Sequence, residues 1–184
     1  MNCGIGYMVE VELRSFVTDD EYDRLLGFFS FNAKDLGEDE QVTFYFDAPQ
    51  DVRIQLNSQY AKLWLKGGKI HDERREEIEV RFARGDFEKM EKLFAALGYG
   101  VKIKWFRKRH SFDWNGIAVA LDDTKGYGKI LELESLVAPE ESQAALEHLK
   151  GKMSELNIAI TPREVFDRRF KDYEADWRNL IQGM

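Results

Sequence analysis

Of the 184 residues one is cysteine, three are proline and three are histidine. A lone Cys3 excludes an internal disulfide, and with no histidine beside it nothing marks it as an activated nucleophile. His71, His110 and His148 are scattered without ligand spacing, which points to packing or surface roles rather than to metal binding. No apolar run is long enough for a signal peptide or a membrane span, so the expectation is a cytoplasmic chain with no membrane partner. Positive charge is short too: 27 Lys and Arg stand against 34 Asp and Glu, a net charge of -7. That balance argues against broad nucleic-acid affinity, which needs a dominant basic surface to release counterions from phosphates, while leaving room for local basic patches.

What the chain does have is charge in general, 33% of residues, and aromatic side chains, 13%, against 43% hydrophobic residues overall. This is the composition of a folded protein that can bury a core without metal or disulfide staples. The expectation is a single domain over residues 8–184, with 1–7 a short leader and Met8 an alternative start of translation.

Along the chain, VEVELRS (9–15) reads as a strand. Thr18 and Glu21 form a capping box for a helix over about 19–31, with Tyr22, Leu25, Leu26 and Phe29 as its apolar stripe. An acidic loop around 37–40 leads to the strands QVTFYFDAP and DVRIQLN. Residues 61–66 run into Gly67-Gly68, a hairpin signal, and REEIEVRF returns. Asp86 caps a second helix that Gly98 closes. A meander follows, VKIKWFRKRHSF, IAVALD and KILELESL, with Asn115-Gly116 as a type I′ turn. Pro139 opens a third helix and Thr161-Pro162-Arg163-Glu164 caps a fourth, which carries Phe166, Phe170, Tyr173 and Trp177.

Side chains alternate across an extended chain. Glu10, Glu12 and Arg14 therefore share one side of the first strand, opposite Val9, Val11 and Leu13. The same alternation groups Arg53 with Gln55, Lys62 with Lys66, Arg75 with Glu77, Glu79 and Arg81, Arg107 with Arg109, and Glu132 with Glu134, with Asp122 beside them. Each could be an ordinary solvated face. Four amphipathic helices, however, need apolar sheet to cover, and a sheet curled with its charges inward and its apolar face under the helices provides it. A channel lined by charges of both signs implies a charged ligand: Lys and Arg suit a polyphosphate, and clustered glutamates suit a divalent cation such as Mg²⁺.

These residues resemble the CYTH family, also called triphosphate tunnel metalloenzymes, which includes class IV adenylyl cyclases, thiamine triphosphatases and inorganic tripolyphosphatases. VEVELR is similar to its N-terminal Glu-x-Glu-x-Lys signature, with Arg14 in place of the lysine. TFYFDAP and DVRIQ resemble its Tyr-Phe-Asp and Leu-Arg-Ile-Arg strands, with Gln55 in place of an arginine. KLWLKGG resembles its Leu-Thr-x-Lys-Gly hairpin, and REEIEVRF its Arg-x-Glu-x-Glu strand. FRKRHSF resembles Lys-x-Arg-x-x-Tyr, with Arg107 for the lysine. ALDDTKGYGKILELE is similar to the ending Leu-Asp-x-Val-x-Gly-Leu-Gly-x-x-x-Glu-x-Glu, the most specific of these likenesses.

The resemblance implies an α+β fold: a closed antiparallel β-barrel with amphipathic helices packed outside. It implies Mg²⁺ or Mn²⁺ held by Glu10, Glu12, Glu132 and Glu134. Triphosphate would be bound by Arg53, Lys66, Arg75, Arg107 and Arg109, with Arg14, Glu77, Glu79 and Asp122 in catalytic or further ligand roles. The expected activity is hydrolysis of the terminal phosphate of tripolyphosphate, thiamine triphosphate or a nucleoside triphosphate. The alternatives are a class IV-type adenylyl cyclase, which makes cyclic AMP and pyrophosphate from ATP, and a non-catalytic module that binds nucleotide or polyphosphate. A homodimer is compatible with the resemblance.

Overall fold

Thr18 accepts from the backbone N–H of Glu21 while the Glu21 carboxylate accepts from that of Thr18. This reciprocal cap starts the first helix where the sequence predicts it. The computed structural model describes residues 8–66 and 77–182, without the side chains of Lys66 and Glu77. In chain order the elements are β1 (Val9–Val17), α1 (Asp19–Asn32), β2 (Lys34–Phe46), β3 (Asp51–Leu56), β4 (Ala61–Lys66), β5 (Glu77–Phe82), α2 (Phe87–Ala96), β6 (Val101–Trp114), β7 (Ile117–Thr124), β8 (Gly128–Val137), α3 (Ser142–Glu155) and α4 (Arg163–Leu180). The strands form an eight-stranded antiparallel sheet in the order β1-β8-β7-β6-β2-β3-β4-β5. The hydrogen-bonded order is open, with β1 and β5 at its ends, so the fold is α+β with an antiparallel sheet and four helices among the described residues.

The chain divides into two compact units. The first holds residues 8–37, 111–121 and 129–161, and the second holds 38–110, 122–128 and 162–182. In the first unit Val11 and Leu13 of β1 and Leu131 and Leu133 of β8 join Phe112, Trp114, Ile117, Val119 and Leu121. Tyr22, Leu25 and Phe29 of α1 and Leu149 and Met153 of α3 cover them. Period-2 strands thus meet period-3.6 helices through their apolar stripes. Phe29 stacks on Phe112 and meets Trp114 edge-on, with centroids 5.6 and 5.5 Å apart. Arg24 donates to the carbonyl of Leu156, satisfying a group left over at the end of α3.

In the second unit Phe44, Phe46, Ile54 and Ala61 pack under Phe87, Met90 and Phe94 of α2, and Phe46 stacks on Phe94 at 4.2 Å. Three local expectations differ from what is found. Residues 37–40 are not a loop but belong to β2; Lys108 of the neighbouring β6 holds Glu38 at 2.9 Å, so a strand of opposite charge supports the acidic stretch. Thr161 does not cap α4: its hydroxyl accepts from the backbone N–H of Phe16 and lies 2.8 Å from that of buried Ser15. Asp86 precedes α2 but makes no cap hydrogen bond, its carboxylate taking Lys89 Nζ instead.

Candidate functional site

In the first unit β1 and β8 place Glu12 directly opposite Glu134, and Arg14 directly opposite Glu132. Side chains directly across from one another share a sheet face, so these four stand together on the face turned away from α1 and α3. Glu10 is on the same face, one step further, exposed and opposite Leu136. The burial of Val11 and Leu13 under the helices fixes this orientation. Like charges directly across a ladder repel. Arg14 Nε reaches Glu12 at 2.5 Å and offsets part of that repulsion.

The second unit gathers the cations. Gln55 pairs across with Lys62, and Lys62 with Arg81; Arg53 pairs with Trp64, and Trp64 with Glu79. Arg53 is also opposite Tyr45 on β2, its guanidinium 4.2 Å above that ring and its Nε 2.7 Å from Asp51. Glu79 takes Lys62 on one oxygen and Arg81 on the other, both at 2.8 Å. Burial works to raise the Glu79 pKa, but the hydrogen bonds and charges of Lys62 and Arg81 outweigh it and hold the carboxyl below its ordinary value.

Asp122 anchors the arginines of β6. Its two oxygens accept from Arg109 Nε and Nη2, both at 2.7 Å, and from Arg107 Nη1 at 3.0 Å. The Asp122 side chain is 4% exposed while the Arg107 and Arg109 side chains are each 21% exposed, so the arginines are the more open members of this triad. Burial alone would raise the Asp122 pKa; the charges and hydrogen bonds of Arg107 and Arg109 lower it. Two triads with two cations per carboxylate, Asp122 and Glu79, leave net positive charge on this face.

Trp105 is two residues from Arg107 and so faces the same way. Phe170 of α4 lies 6.0 Å from Tyr45, and Tyr173 lies 5.0 Å from Trp105. The Tyr173 hydroxyl and the Trp177 indole donate to the carbonyls of Lys104 and Lys102. α4 therefore packs on the face that carries the arginines, whereas α2 covers the opposite face through Phe44 and Phe46. The expectation that every helix would lie on the apolar side fails for α4, whose aromatic stripe matches aromatic rather than aliphatic strand residues.

Of the residues singled out in the sequence, Glu10, Glu12, Arg14, Glu132 and Glu134 share one sheet face in the first unit. Arg53, Glu79, Arg107, Arg109 and Asp122 lie on one face of the second. Lys66 and Glu77 are paired in register, and Arg75 lies outside the described residues. Sequence reasoning missed Gln41, Asp51 and Tyr45. Gln41 and Tyr45 alternate with Thr43 along β2, so the period-2 pattern of QVTFYF is the signal that could have found them.

An α+β protein with an antiparallel sheet that carries a charged face in each of its units is the class these features define. Residues 8–162 match the CYTH domain, and the chain belongs to the CYTH family. It is 30% identical over 168 residues to a Methanocaldococcus jannaschii protein named "Putative adenylate cyclase MJ0240", covering 83% of this chain and 91% of that one. Among solved structures it is similar to the PH1819 protein of Pyrococcus horikoshii, with a TM-score of 0.69, 25% identity and coverage of 84% and 93%. It also shares its fold with HpAC1 of Hippeastrum, a candidate adenylyl cyclase described as having a dominant triphosphatase activity, with a TM-score of 0.63, 18% identity and coverage of 88% and 95%. α4 follows the matched segment.

The carboxylates limit which ion could bind. Among the described residues no three His, Cys, Asp or Glu side chains cluster as a metal cage would require. Glu12 and Glu134 form a facing pair. Mg²⁺ keeps several waters and is usually held by one or two carboxylates together with phosphate oxygens. The pair fits an ion of that kind and does not fit the many-oxygen cage of Ca²⁺.

Proposed function

We propose that this CYTH-family protein is a divalent-metal-dependent enzyme that hydrolyses the terminal phosphate of a triphosphate: tripolyphosphate, thiamine triphosphate or a nucleoside triphosphate. The observation that carries this reading is the Asp122 triad, in which one buried carboxylate holds two more exposed arginine side chains in place. Arginine forks match phosphate oxygens in pairs, and donors already held in place stabilise charge that builds on those oxygens as the terminal phosphoryl group departs.

In this reading Arg53, Arg107 and Arg109 bind the phosphate chain, with Lys66 and Arg75 as further phosphate ligands. Asp122 and Glu79 hold cations in place, since their oxygens are occupied by guanidinium and ammonium groups. Glu12 and Glu134 hold Mg²⁺ or Mn²⁺, with Glu10 and Glu132 one register step to either side. The ion, when bound, supplies a Lewis acid for the phosphate oxygens and lowers the pKa of water. Arg14 contacts Glu12, and through it governs how much negative charge that carboxylate offers the ion.

Conversion of ATP to cyclic AMP is the second reading, favoured by the name of the archaeal relative. Incubation with tripolyphosphate, thiamine triphosphate and ATP, each with Mg²⁺ or Mn²⁺, separates the two. Orthophosphate release supports the hydrolase, whereas cyclic AMP with pyrophosphate supports the cyclase. Binding without either product would reduce the protein to a polyphosphate-binding module.

A further inference from the structure

The arginine at 107 is held on two sides, and only one of them is Asp122. The other is the side-chain oxygen of Gln41. It accepts from Arg107 Nε at 3.0 Å, from Arg107 Nη2, and from Gln55 Nε2 at 3.3 Å. The Gln41 amide nitrogen donates to Asp39 Oδ2 at 3.0 Å, and Asp39 in turn accepts from the backbone N–H of Ser58. That outer hydrogen bond decides which way the amide points. With Asp39 accepting on the nitrogen side, the carbonyl oxygen is turned to the guanidinium. Gln55 is 5% exposed and also donates to Thr43 Oγ1 at 3.0 Å, so it is a neutral donor fixed in place next to the cation.

We infer that Gln41 is a positioning residue for Arg107: its oriented oxygen fixes the plane of the guanidinium and so sets the geometry with which Arg107 meets a phosphate. The inference rests on the reading of Arg107 as a phosphate ligand. A carboxylate at 41 would hold the guanidinium just as firmly but cancel its charge. A neutral amide holds it and leaves the charge to the ligand. Asp122 already serves two arginines, so a second carboxylate would turn a triad with net positive charge into a neutral one. The same reasoning accounts for Gln55: an arginine there would bring a second guanidinium to the oxygen that Arg107 uses.

The test is a double-mutant cycle on tripolyphosphate binding, measured by calorimetry in EDTA so that no turnover intervenes. Gln41→Ala is expected to weaken binding about tenfold, the size of one charge-assisted hydrogen bond. Arg107→Ala is expected to weaken it more. The double variant should bind no more weakly than Arg107→Ala alone, because Gln41 acts only through Arg107. Gln41→Asn, whose oxygen is withdrawn by one methylene, serves as the gentler variant should Gln41→Ala not fold, with the same non-additivity expected. Losses that add in the cycle would overturn the positioning role while leaving Arg107 a phosphate ligand. A wild-type protein that binds no tripolyphosphate would overturn the underlying reading and this inference with it. As a readout that a purely structural role would not move, the Arg107 Nε–H resonance should be protected from exchange in ligand-free wild type and lose that protection in Gln41→Ala. Unchanged protection would contradict the inference.

Discussion

Asp122 is the residue on which the cationic face depends. Removing one partner of a buried ion pair leaves the others uncompensated, so Asp122→Asn is expected to cost about 3 kcal/mol in chemical denaturation. Because Arg107 and Arg109 hold the Asp122 pKa below its unfolded value of about 3.9, its contribution is complete above roughly pH 4 and is lost as the pH falls through the lowered folded value. Acid titration of wild type should therefore show a fall in stability that the Asn variant lacks. Gln55 allows a second test. If charge alone governed phosphate affinity, Gln55→Arg would strengthen tripolyphosphate binding; competition for the Gln41 oxygen predicts that it weakens binding about threefold. Most of the charged residues could be read from alternation: Glu12 and Glu134, Arg53, Arg107 and Arg109 each lie on the face that period 2 assigns them. Gln41 could not, because the partners that orient it, Arg107 and Gln55, come from other strands, and the ion pair from Glu38 to Lys108 that straightens the glycine and three acidic residues at 37–40 before it is likewise non-local.

Elements show a similar division between what is local and what is not. The Thr18 cap, the Asn115-Gly116 turn and the stripe of α1 are local signals and appear where the sequence puts them; Asn115 and Gly116 have φ of 55° and 86°, as a type I′ turn requires. The side of the sheet on which a helix packs is not local. α4 has the same kind of apolar period as α1, yet it packs on the arginine-bearing face, because its partners Tyr45, Trp105 and Tyr127 are aromatic residues placed on that face by three separate segments. Burial, with the nearby Tyr45 phenol, raises the Tyr173 pKa to about 12. A phenol that resists ionisation in the fold adds stability that is complete below its unfolded value of about 10 and is lost as the pH rises toward the folded one. Between pH 10 and 12, wild type should lose stability more steeply than Tyr173→Phe. At neutral pH the same substitution should cost about 1 kcal/mol for the lost bond to Lys104. Equal slopes above pH 10 would mean that Tyr173 is not the group titrating there.

Across the whole chain, net charge misleads. A formal charge of -7 argues against a general affinity for polyanions, yet Asp122 and Glu79 each gather two cations on a single sheet face. In the proposed reading such a face would bind phosphate by geometry rather than by bulk charge, and the interaction should be specific to short phosphate chains. The order of charged strands could be read from the sequence because each strand shows its own alternation. The pairing order β6-β2-β3 could not, since nothing local to β2 names its neighbours. The central claim is that a facing carboxylate pair serves a metal-dependent reaction on a triphosphate. It is tested most directly by orthophosphate release from tripolyphosphate with Mg²⁺ or Mn²⁺, comparing wild type with Glu12→Gln at matched thermal stability. The account predicts turnover by wild type that EDTA abolishes and a loss of at least a hundredfold in the variant. Turnover unaffected by either EDTA or the substitution would contradict it.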